Sequence, residues 1–232
     1  MSPRPVVLSW SGGKDSAYAL HILRSDPTVE VVGLLTTLTG DYDRVSMHGV
    51  RRSLLESQAS AIGIPLHTVT INAGAGNDSY EEKMRAALAA LPSQGIHSVA
   101  FGDLFLEDVR RYRENLMEGM KMSAIFPLWG NNTSELAKRF ISLGFRAITT
   151  CIDTEQLDGR FAGRWFDERL LAELPDGADP CGENGEFHTF VCDGPIFSYP
   201  VEIVPGELLL MDQRFLYCDL HPSPPPDDRS AG

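Results

Sequence analysis

Apolar and polar residues follow two different periods over the first 150 residues. Continuous apolar runs rich in β-branched side chains predict buried strands at 6–9, 29–35, 67–71, 99–101 and 147–150. Between these runs, apolar residues recur at helical spacing within 50–62, 80–91, 109–120 and 132–143. The last helix opens on Asn132 and Glu135, which have the spacing of a capping box. This alternation predicts an α/β fold, with helices on both faces of a parallel sheet.

The pattern changes after about residue 150. One helix-like segment, 163–174, is followed by a loop rich in Gly, Asp, Pro and Glu at 175–186 and by strand-like runs at 187–192, 201–204 and 215–219. We therefore expect a domain at 1–150 and a smaller α+β domain at 151–220. Residues 221–232 contain three consecutive prolines and two aspartates, which predicts a disordered tail.

The charge balance restricts the partners of the chain. It has 232 residues, with 20 Lys and Arg against 32 Asp and Glu, so its formal net charge is −12. Such an acidic surface repels phosphate backbones and argues against non-specific nucleic-acid binding. No apolar run approaches the roughly 20 residues of a membrane span, and the N-terminus does not resemble a signal peptide, so we expect a cytoplasmic protein. Four cysteines, none in CxxC spacing, argue against a disulfide scaffold and a structural zinc site.

The segment from Ser9 to Ser16, SWSGGKDS, follows the first predicted strand, and we expect a helix to begin at its end. Its two glycines allow the backbone to approach an anion, and the helix start presents free N–H groups with a partial positive charge. Hydroxyl groups and one lysine complete a polyphosphate site, while the aspartate suits a helix cap or a magnesium ligand. The segment is not a Walker A loop, because Leu8 and Asp15 occupy the required Gly and Ser/Thr positions.

A second polar cluster, from Asp179 to Val191, runs from a glycine-rich loop into a predicted strand. In an extended chain Glu186 and His188 point to the same face. Together with Glu183 they form either a general-base group or part of a metal shell. The alternative is a solvated acidic turn followed by an ordinary strand, and the residues alone leave both open.

The SGGKDS segment resembles the pyrophosphate loop of the ATP pyrophosphatase, or PP-loop, superfamily. That resemblance implies a five-stranded, Rossmann-like parallel sheet that binds ATP and cleaves it between the α and β phosphates. A nucleophile would be adenylated, and the loop would hold the departing pyrophosphate.

Up to about residue 220, the chain resembles the diphthine–ammonia ligase family more closely. The resemblance rests on SGGKDS, on Met-His-Gly at 47–49, on Gly102-Asp103 with Arg110, on FPLW at 126–129 and on GENGEFHT at 182–189. It implies that ATP adenylates the carboxylate of diphthine, a modified histidine on translation elongation factor two, and that ammonia then displaces AMP. Domain 1–150 would bind ATP and domain 151–220 would hold the acceptor.

The resemblance also implies roles for individual residues. Glu183, Glu186 and His188 are expected to act in catalysis together with Lys14. Asp15 and Asp103 are candidate Mg²⁺ ligands, His48 is expected at the adenine or ribose, and Arg110 with Arg113 at the α-phosphate. The nucleotide-binding set is Ser9, Ser11, Gly12, Gly13, Lys14, Asp15, Ser16, His48, Gly102, Asp103 and Arg110.

One residue departs from the family pattern. Diphthine-type members usually carry glutamate where this chain has His188, and the histidine form resembles a bacterial branch. The acceptor is therefore left open between an elongation factor two-like protein and a small molecule such as a cobalamin-salvage intermediate. Two other functional classes are a PP-loop tRNA thiolase, which would require a catalytic cysteine pair, and a nucleotide-sensing module. Whether the protein forms a homodimer is also open.

Overall fold

The structure is a computed structural model that describes residues 2–40, 43–45, 48–72 and 77–223. Met47 and residues 224–232, which the sequence analysis singled out, lie outside the described residues. His221 and Pro222 had been assigned to the tail, but they form the end of the last strand. No helix in the described ranges is long and apolar enough to span a membrane.

The first sheet contains five parallel strands, the number that the superfamily resemblance implies, and the apolar pattern predicted four of them. The strands are β1 (Arg4–Ser9), β2 (Val29–Thr39), β4 (Leu66–Ile71), β5 (Ser98–Ala100) and β6 (Ser123–Ile125), and a short antiparallel strand β3 (Arg44–Val45) pairs with the end of β2. The parallel strands lie in the order β4-β2-β1-β5-β6. The chain order reverses between β1 and β5, and ligands of open α/β sheets bind at such a reversal, beyond the carboxyl ends of the strands.

Six helices accompany the two sheets in the described part of the chain. They are α1 (Lys14–Arg24), α2 (Arg52–Ile62), α3 (Asn77–Leu88), α4 (Glu107–Glu118), α5 (Thr133–Ser142) and α6 (Glu168–Glu173), with 3₁₀ turns at Pro92–Gln94 and Gly159–Phe161. The cap predicted for α5 is confirmed, since the side-chain oxygen of Asn132 accepts a bond from the Glu135 N–H at 3.0 Å. The first turn of α1 has no such cap.

The second sheet is antiparallel and corrects one strand assignment. It consists of β7 (Arg146–Asp153), β8 (Phe187–Asp193), β9 (Ile203–Met211) and β10 (Phe215–Pro222), in the order β8-β7-β10-β9. The strand predicted at 147–150 was counted with the parallel strands, but it is part of β7. The fifth parallel strand is instead β6, whose sequence Ser-Ala-Ile is not a continuous apolar run. Local apolar pattern predicts a strand but does not identify its neighbour.

One continuous hydrophobic core joins the two sheets. It includes Val6 and Leu8 of β1, Leu20 of α1, Ile148 of β7 and Phe190 of β8, all fully buried. Because the second sheet packs on the same core as β1 and α1, β8 lies directly beside the loop that connects them. The Val191 N–H donates to the Gly12 carbonyl at 2.9 Å, which fixes this contact.

Candidate active site

The loop from Ser9 to Gly13 joins β1 to α1, and its shape is set by neighbouring elements. Gly12 has a φ of +79°, and a Cβ there would lie 2.6 Å from Leu55 Cδ2, so only glycine fits. The Gly12 carbonyl accepts bonds from Gln58 Nε2 at 3.0 Å and from the Val191 N–H at 2.9 Å. Helix α2 and strand β8 therefore hold the loop from two sides.

Hydroxyl groups surround the start of α1. Ser11 Oγ accepts from the Gly13 N–H at 3.2 Å and lies 3.3 Å from Ser16 Oγ. Thr189 Oγ1, on β8, accepts from the Lys14 N–H at 3.0 Å. The positive end of the helix and these hydroxyls together form an environment suited to an anion.

A pocket of about 620 Å³ opens between this loop, the end of β2, the segment after β5 and the start of β8. It brings together most of the residues that the sequence analysis proposed. Its lining includes Ser9, Ser11, Lys14, Asp15, Ser16, His48, Gly102, Asp103, Glu183 and His188, whereas Gly12, Gly13, Arg110 and Glu186 are not part of it. A Cβ on Gly102 would lie 3.0 Å from the Asp15 backbone, so glycine allows this close approach to α1. The chemical roles of all these residues stay predictions.

Lys14 carries a buried positive charge at the pocket wall. Its side chain is 4% exposed, and Nζ lies 2.9 and 2.8 Å from the two carboxylate oxygens of Asp15. Burial by itself lowers the pKa of this ammonium, but the negative charges of Asp15 and Glu183 outweigh burial and hold the pKa above its ordinary value. The lysine is therefore charged at neutral pH and available to an anionic ligand.

Three carboxyl groups lie on the acidic side of the pocket. Burial raises the pKa of Asp15 and of Asp103, and burial together with the Asp15 charge raises that of Glu183 to about 7. Asp103 Oδ2 and Arg113 Nε lie 3.7 Å apart, and neither atom has a hydrogen-bond partner among the described residues. A ligand that bridges or separates these two groups would satisfy both.

This donor set fits a magnesium ion only in part. In the described residues, no group of three or more His, Cys, Asp and Glu side chains is arranged to hold a metal by itself. Mg²⁺ is commonly held by one or two carboxylates together with phosphate oxygens of the substrate. The unpartnered oxygen of Asp103 fits that arrangement, in which the nucleotide supplies the remaining ligands.

We expect the protein's stability to depend on Glu183 between about pH 4.5 and 7. The ordinary pKa of its carboxyl is 4.5 and the folded-state pKa is about 7. In that window the unfolded chain loses the proton while the folded protein keeps it, so the contribution of Glu183 to stability is greatest below pH 4.5 and falls as the pH rises to 7. Urea denaturation at several pH values should show a smaller fall for Glu183→Gln than for the unmodified protein. If the free energy of unfolding falls equally with pH in the two proteins, the pKa of Glu183 is not raised by burial.

Two neutral imidazoles face each other at the other side of the pocket. The rings of His48 and His188 lie 4.5 Å apart between centroids, and His48 Nδ1 is 3.3 Å from the Thr189 carbonyl oxygen. Burial lowers the pKa of both, and the Lys14 charge contributes to lowering that of His188, to about 4. Both rings are therefore uncharged at neutral pH while the pocket holds no anion.

Strand β10 holds the segment that carries His48. Arg44 Nη1 donates at 2.8 Å to both the Gly49 carbonyl and Asp219 Oδ1, and Arg51 Nη2 donates to Asp219 Oδ2 at 2.6 Å. Burial alone raises the pKa of Asp219, but the two guanidinium groups overcome it and hold the pKa at about 2. This network was missed by the sequence analysis, because about 170 residues separate Asp219 from its partners.

Glu186 is buried and faces its own loop. Its carboxylate accepts bonds from the Asp179 N–H at 2.8 Å, the Asn184 N–H at 3.0 Å and Asn184 Nδ2 at 3.1 Å. The same loop presents Glu183 to the pocket, with Glu183 Oε2 accepting from the Leu104 N–H at 3.3 Å. These contacts favour a positioning role for Glu186, and its predicted catalytic role has no support in them.

The structure separates the two arginines proposed for the α-phosphate. Arg113 lines the pocket, with its guanidinium 4.8 Å from the Phe101 ring centroid. Arg110 bonds Glu114 at 2.8 Å and lies over the Trp129 ring at 4.6 Å, away from the pocket lining. The two residues are close on the helix surface, but they diverge toward different neighbours.

Gln58 and Thr189 also build the site, although the sequence analysis gave them no role. The amide of Gln58 is fully buried and bonds Trp10 Nε1, the Gly12 carbonyl and the Val191 carbonyl. Its signal in the sequence was a polar residue within the apolar stripe of a predicted helix. Thr189 carried no comparable signal, because its importance comes from the position of β8 beside α1.

Both halves of the chain match models of one known protein family. Residues 4–123 match the family described as diphthamide synthase N-terminal domain, and residues 132–219 match diphthamide synthase C-terminal domain. The diphthine–ammonia ligase of Homo sapiens is 25% identical over an alignment of 229 residues, with 86% of this chain and 83% of the relative covered. That of Bos taurus is 26% identical over 228 residues, with 86% and 82% covered. For Schizosaccharomyces pombe the identity is 23%, with 86% of this chain and 36% of the longer relative covered.

Proposed function

This chain belongs to the diphthamide synthase family, and on that premise we propose that it is an ATP-dependent carbon–nitrogen ligase which adenylates an acceptor carboxylate for attack by ammonia. The observation that carries the proposal is one pocket shared by two segments. The SGGKDS loop lies in the N-terminal family match and the GENGEFHT segment in the C-terminal match, and both line the pocket. A nucleotide held by the first would face groups supplied by the second.

In this proposal the triphosphate binds at the start of α1. The helix end, the hydroxyls of Ser11 and Ser16 and the ammonium of Lys14 receive the β and γ phosphates, which leave as pyrophosphate. Arg113, rather than Arg110, then neutralises charge at the α-phosphate. Oriented donors of this kind stabilise the departing anion without reorganising during the reaction.

We propose that Asp15 and Asp103 hold Mg²⁺ together with phosphate oxygens of the nucleotide. Burial raises the pKa of Asp15, Asp103 and Glu183, and the Asp15 charge raises that of the other two further. A divalent cation would relieve the cost of placing these negative charges together. When bound, the ion would neutralise part of the charge on the leaving pyrophosphate. Lys14 and Asp15 form an ion pair in the structure. With the nucleotide bound, Lys14 would contact phosphate and Asp15 would contact the metal ion in place of part of that pairing.

The amide-forming half of the reaction releases a proton. Ammonia attacks the carbonyl carbon of the acyl adenylate, AMP leaves with the bonding electrons, and the nitrogen must lose one proton. We propose that Glu183 accepts it, since a base is most effective when its pKa lies near the working pH and the pKa of Glu183 is about 7. His188 contacts the acceptor, and Glu186 holds the loop that aims Glu183.

The acceptor carboxylate is proposed by analogy with the relatives, which are named for diphthine. A protein that carries such a modified histidine, similar to elongation factor two, is the first candidate. Because His188 stands where diphthine-type members usually carry glutamate, a small-molecule carboxylic acid is the second candidate. The proposal places the reaction in the cytoplasm, where the four cysteines, all free and buried, stay reduced.

The products of ATP cleavage test this function. The protein is incubated with ATP, Mg²⁺, an ammonium salt and each candidate acceptor, and we expect AMP and pyrophosphate in equal amounts with the amide. An acceptor carboxylate labelled with ¹⁸O should transfer one label to AMP. Release of ADP and phosphate would mean γ-phosphoryl transfer and contradict the proposal. ATP binding without AMP formation for every acceptor would favour a nucleotide sensor.

A further inference from the structure

Strand β9 presents apolar side chains to solvent along most of its length. Leu208, Leu209, Leu210 and Met211 are between 43% and 58% exposed, and Val204 is 44% exposed. Successive side chains of a strand point to opposite faces, so this strand is bare on both faces. Together these residues expose apolar surface on the order of 400 Å², the size at which a patch marks an interaction site.

The backbone of this strand is also available for pairing. β9 is the last strand of the order β8-β7-β10-β9, and within the described residues only β10 pairs with it. A long apolar edge strand invites another strand, and folded proteins usually protect such edges with charge or proline. Glu207 is the single charged residue within β9, and Pro205 lies near the beginning of the strand. Residues 208–211 therefore contain neither a charge nor a proline that would protect the edge.

The sequence of the edge is complementary to itself in the antiparallel direction. With a twofold axis at Leu209, that residue faces its own copy, while Leu208 faces Leu210 and Glu207 faces Met211 of the second chain. No pair of like charges meets in this register, although each chain carries a net charge of −12. Cross-strand apolar pairs stabilise such contacts, whereas like charges placed opposite each other destabilise them.

Two other occupants fit this edge less well. The chain's own continuation after Ser223 begins with three prolines, which have no N–H for pairing, and continues with polar residues. An acceptor for the pocket would have to reach β8, which lies at the opposite edge of the sheet. A second copy is the occupant whose chemistry matches both the apolar faces and the free backbone.

We propose that the protein forms a homodimer in which two β9 strands pair antiparallel across a twofold axis at Leu209. The two four-stranded sheets then become one continuous eight-stranded sheet. A standard interface buries roughly 800 Å² on each partner, and the apolar side chains of β9 supply about half of that area. Since each copy is acidic, added salt should strengthen the dimer by screening repulsion.

Light scattering after size exclusion tests the association with the full chain. The unmodified protein should elute as a dimer, and Leu208→Lys combined with Leu210→Lys should elute as a monomer with an unchanged circular dichroism spectrum. The control is Gln94→Lys, a single charge added at an exposed turn, which should stay dimeric. A monomeric unmodified protein at all concentrations, or a dimer that the double lysine variant leaves intact, would overturn the proposal.

Cross-linking tests the register independently of any loss of stability. The four natural cysteines are buried, so Leu209→Cys adds the one accessible thiol in the described part of the chain. Mild oxidation should convert most of this variant to a disulfide-linked dimer on a non-reducing gel, while Gln94→Cys should remain monomeric on the gel. Failure of Leu209→Cys to cross-link, or open-ended larger oligomers, would contradict a closed twofold pairing at this residue.

Discussion

Lys14→Ala should lower ATP-dependent AMP formation by about 10- to 100-fold and weaken ATP binding to a similar extent. A charge-assisted contact of this kind contributes roughly 1.5–3 kcal/mol, and each 1.4 kcal/mol corresponds to a factor of ten. The lysine is buried at the pocket wall and its pKa is held above the ordinary value, so it presents a full positive charge to the nucleotide. Titration calorimetry with ATP and a pyrophosphate release assay measure the two effects.

The fold should survive this substitution. Alanine is the best helix former, and the Asp15 carboxyl that loses its partner is 27% exposed toward the pocket and can be hydrated. Lys138→Ala, which removes an exposed lysine from α5, is the matched control and should change neither quantity. Unchanged ATP affinity and turnover in Lys14→Ala would remove the phosphate-binding assignment of the loop.

His188→Ala should reduce acceptor-dependent AMP formation by about 10²- to 10⁴-fold while ATP binding stays nearly normal. His188 is proposed to hold the acceptor beside Glu183, and positioned acid–base catalysis of this kind contributes about that factor. The ring lies at the pocket, 4.5 Å from His48, and burial together with the Lys14 charge lowers its pKa to about 4. A bound triphosphate would offset the contribution of Lys14 but not that of burial. His97→Ala, at an exposed position, is the control.

Two related variants separate specificity from structure at this segment. His188→Glu restores the residue of the diphthine-type pattern, and a changed acceptor preference would identify position 188 as the specificity determinant. Glu186→Gln should also lose acceptor-dependent turnover and keep ATP binding, because glutamine has one acceptor oxygen for a loop that now uses two. Normal turnover of the double variant Glu186→Gln with His188→Ala would place the acceptor site elsewhere.

The linear sequence determined much of the fold and the phosphate-binding half of the site. Alternating strand and helix periods predicted the parallel sheet, and the strand–loop–helix order placed Lys14 and Ser16 at its carboxyl edge. Such inferences succeed because burial on a strand or helix repeats along a few residues, and because a glycine loop followed by a helix is a local structure. The cap of α5 at Asn132 is local in the same sense.

Only the tertiary structure decided which distant groups share the pocket. His48 lies beside His188 because Asp219 holds the segment that carries His48 through ion pairs with Arg44 and Arg51. These partners are about 170 residues apart in the sequence, and no local spacing predicts such a contact. The same holds for β7, whose apolar run is equally suited to either sheet. The packing of distant elements around one core decides which strands pair, and it buries Glu186 and sets the pKa of Glu183. Such packing is a property of the folded chain and not of its local pattern.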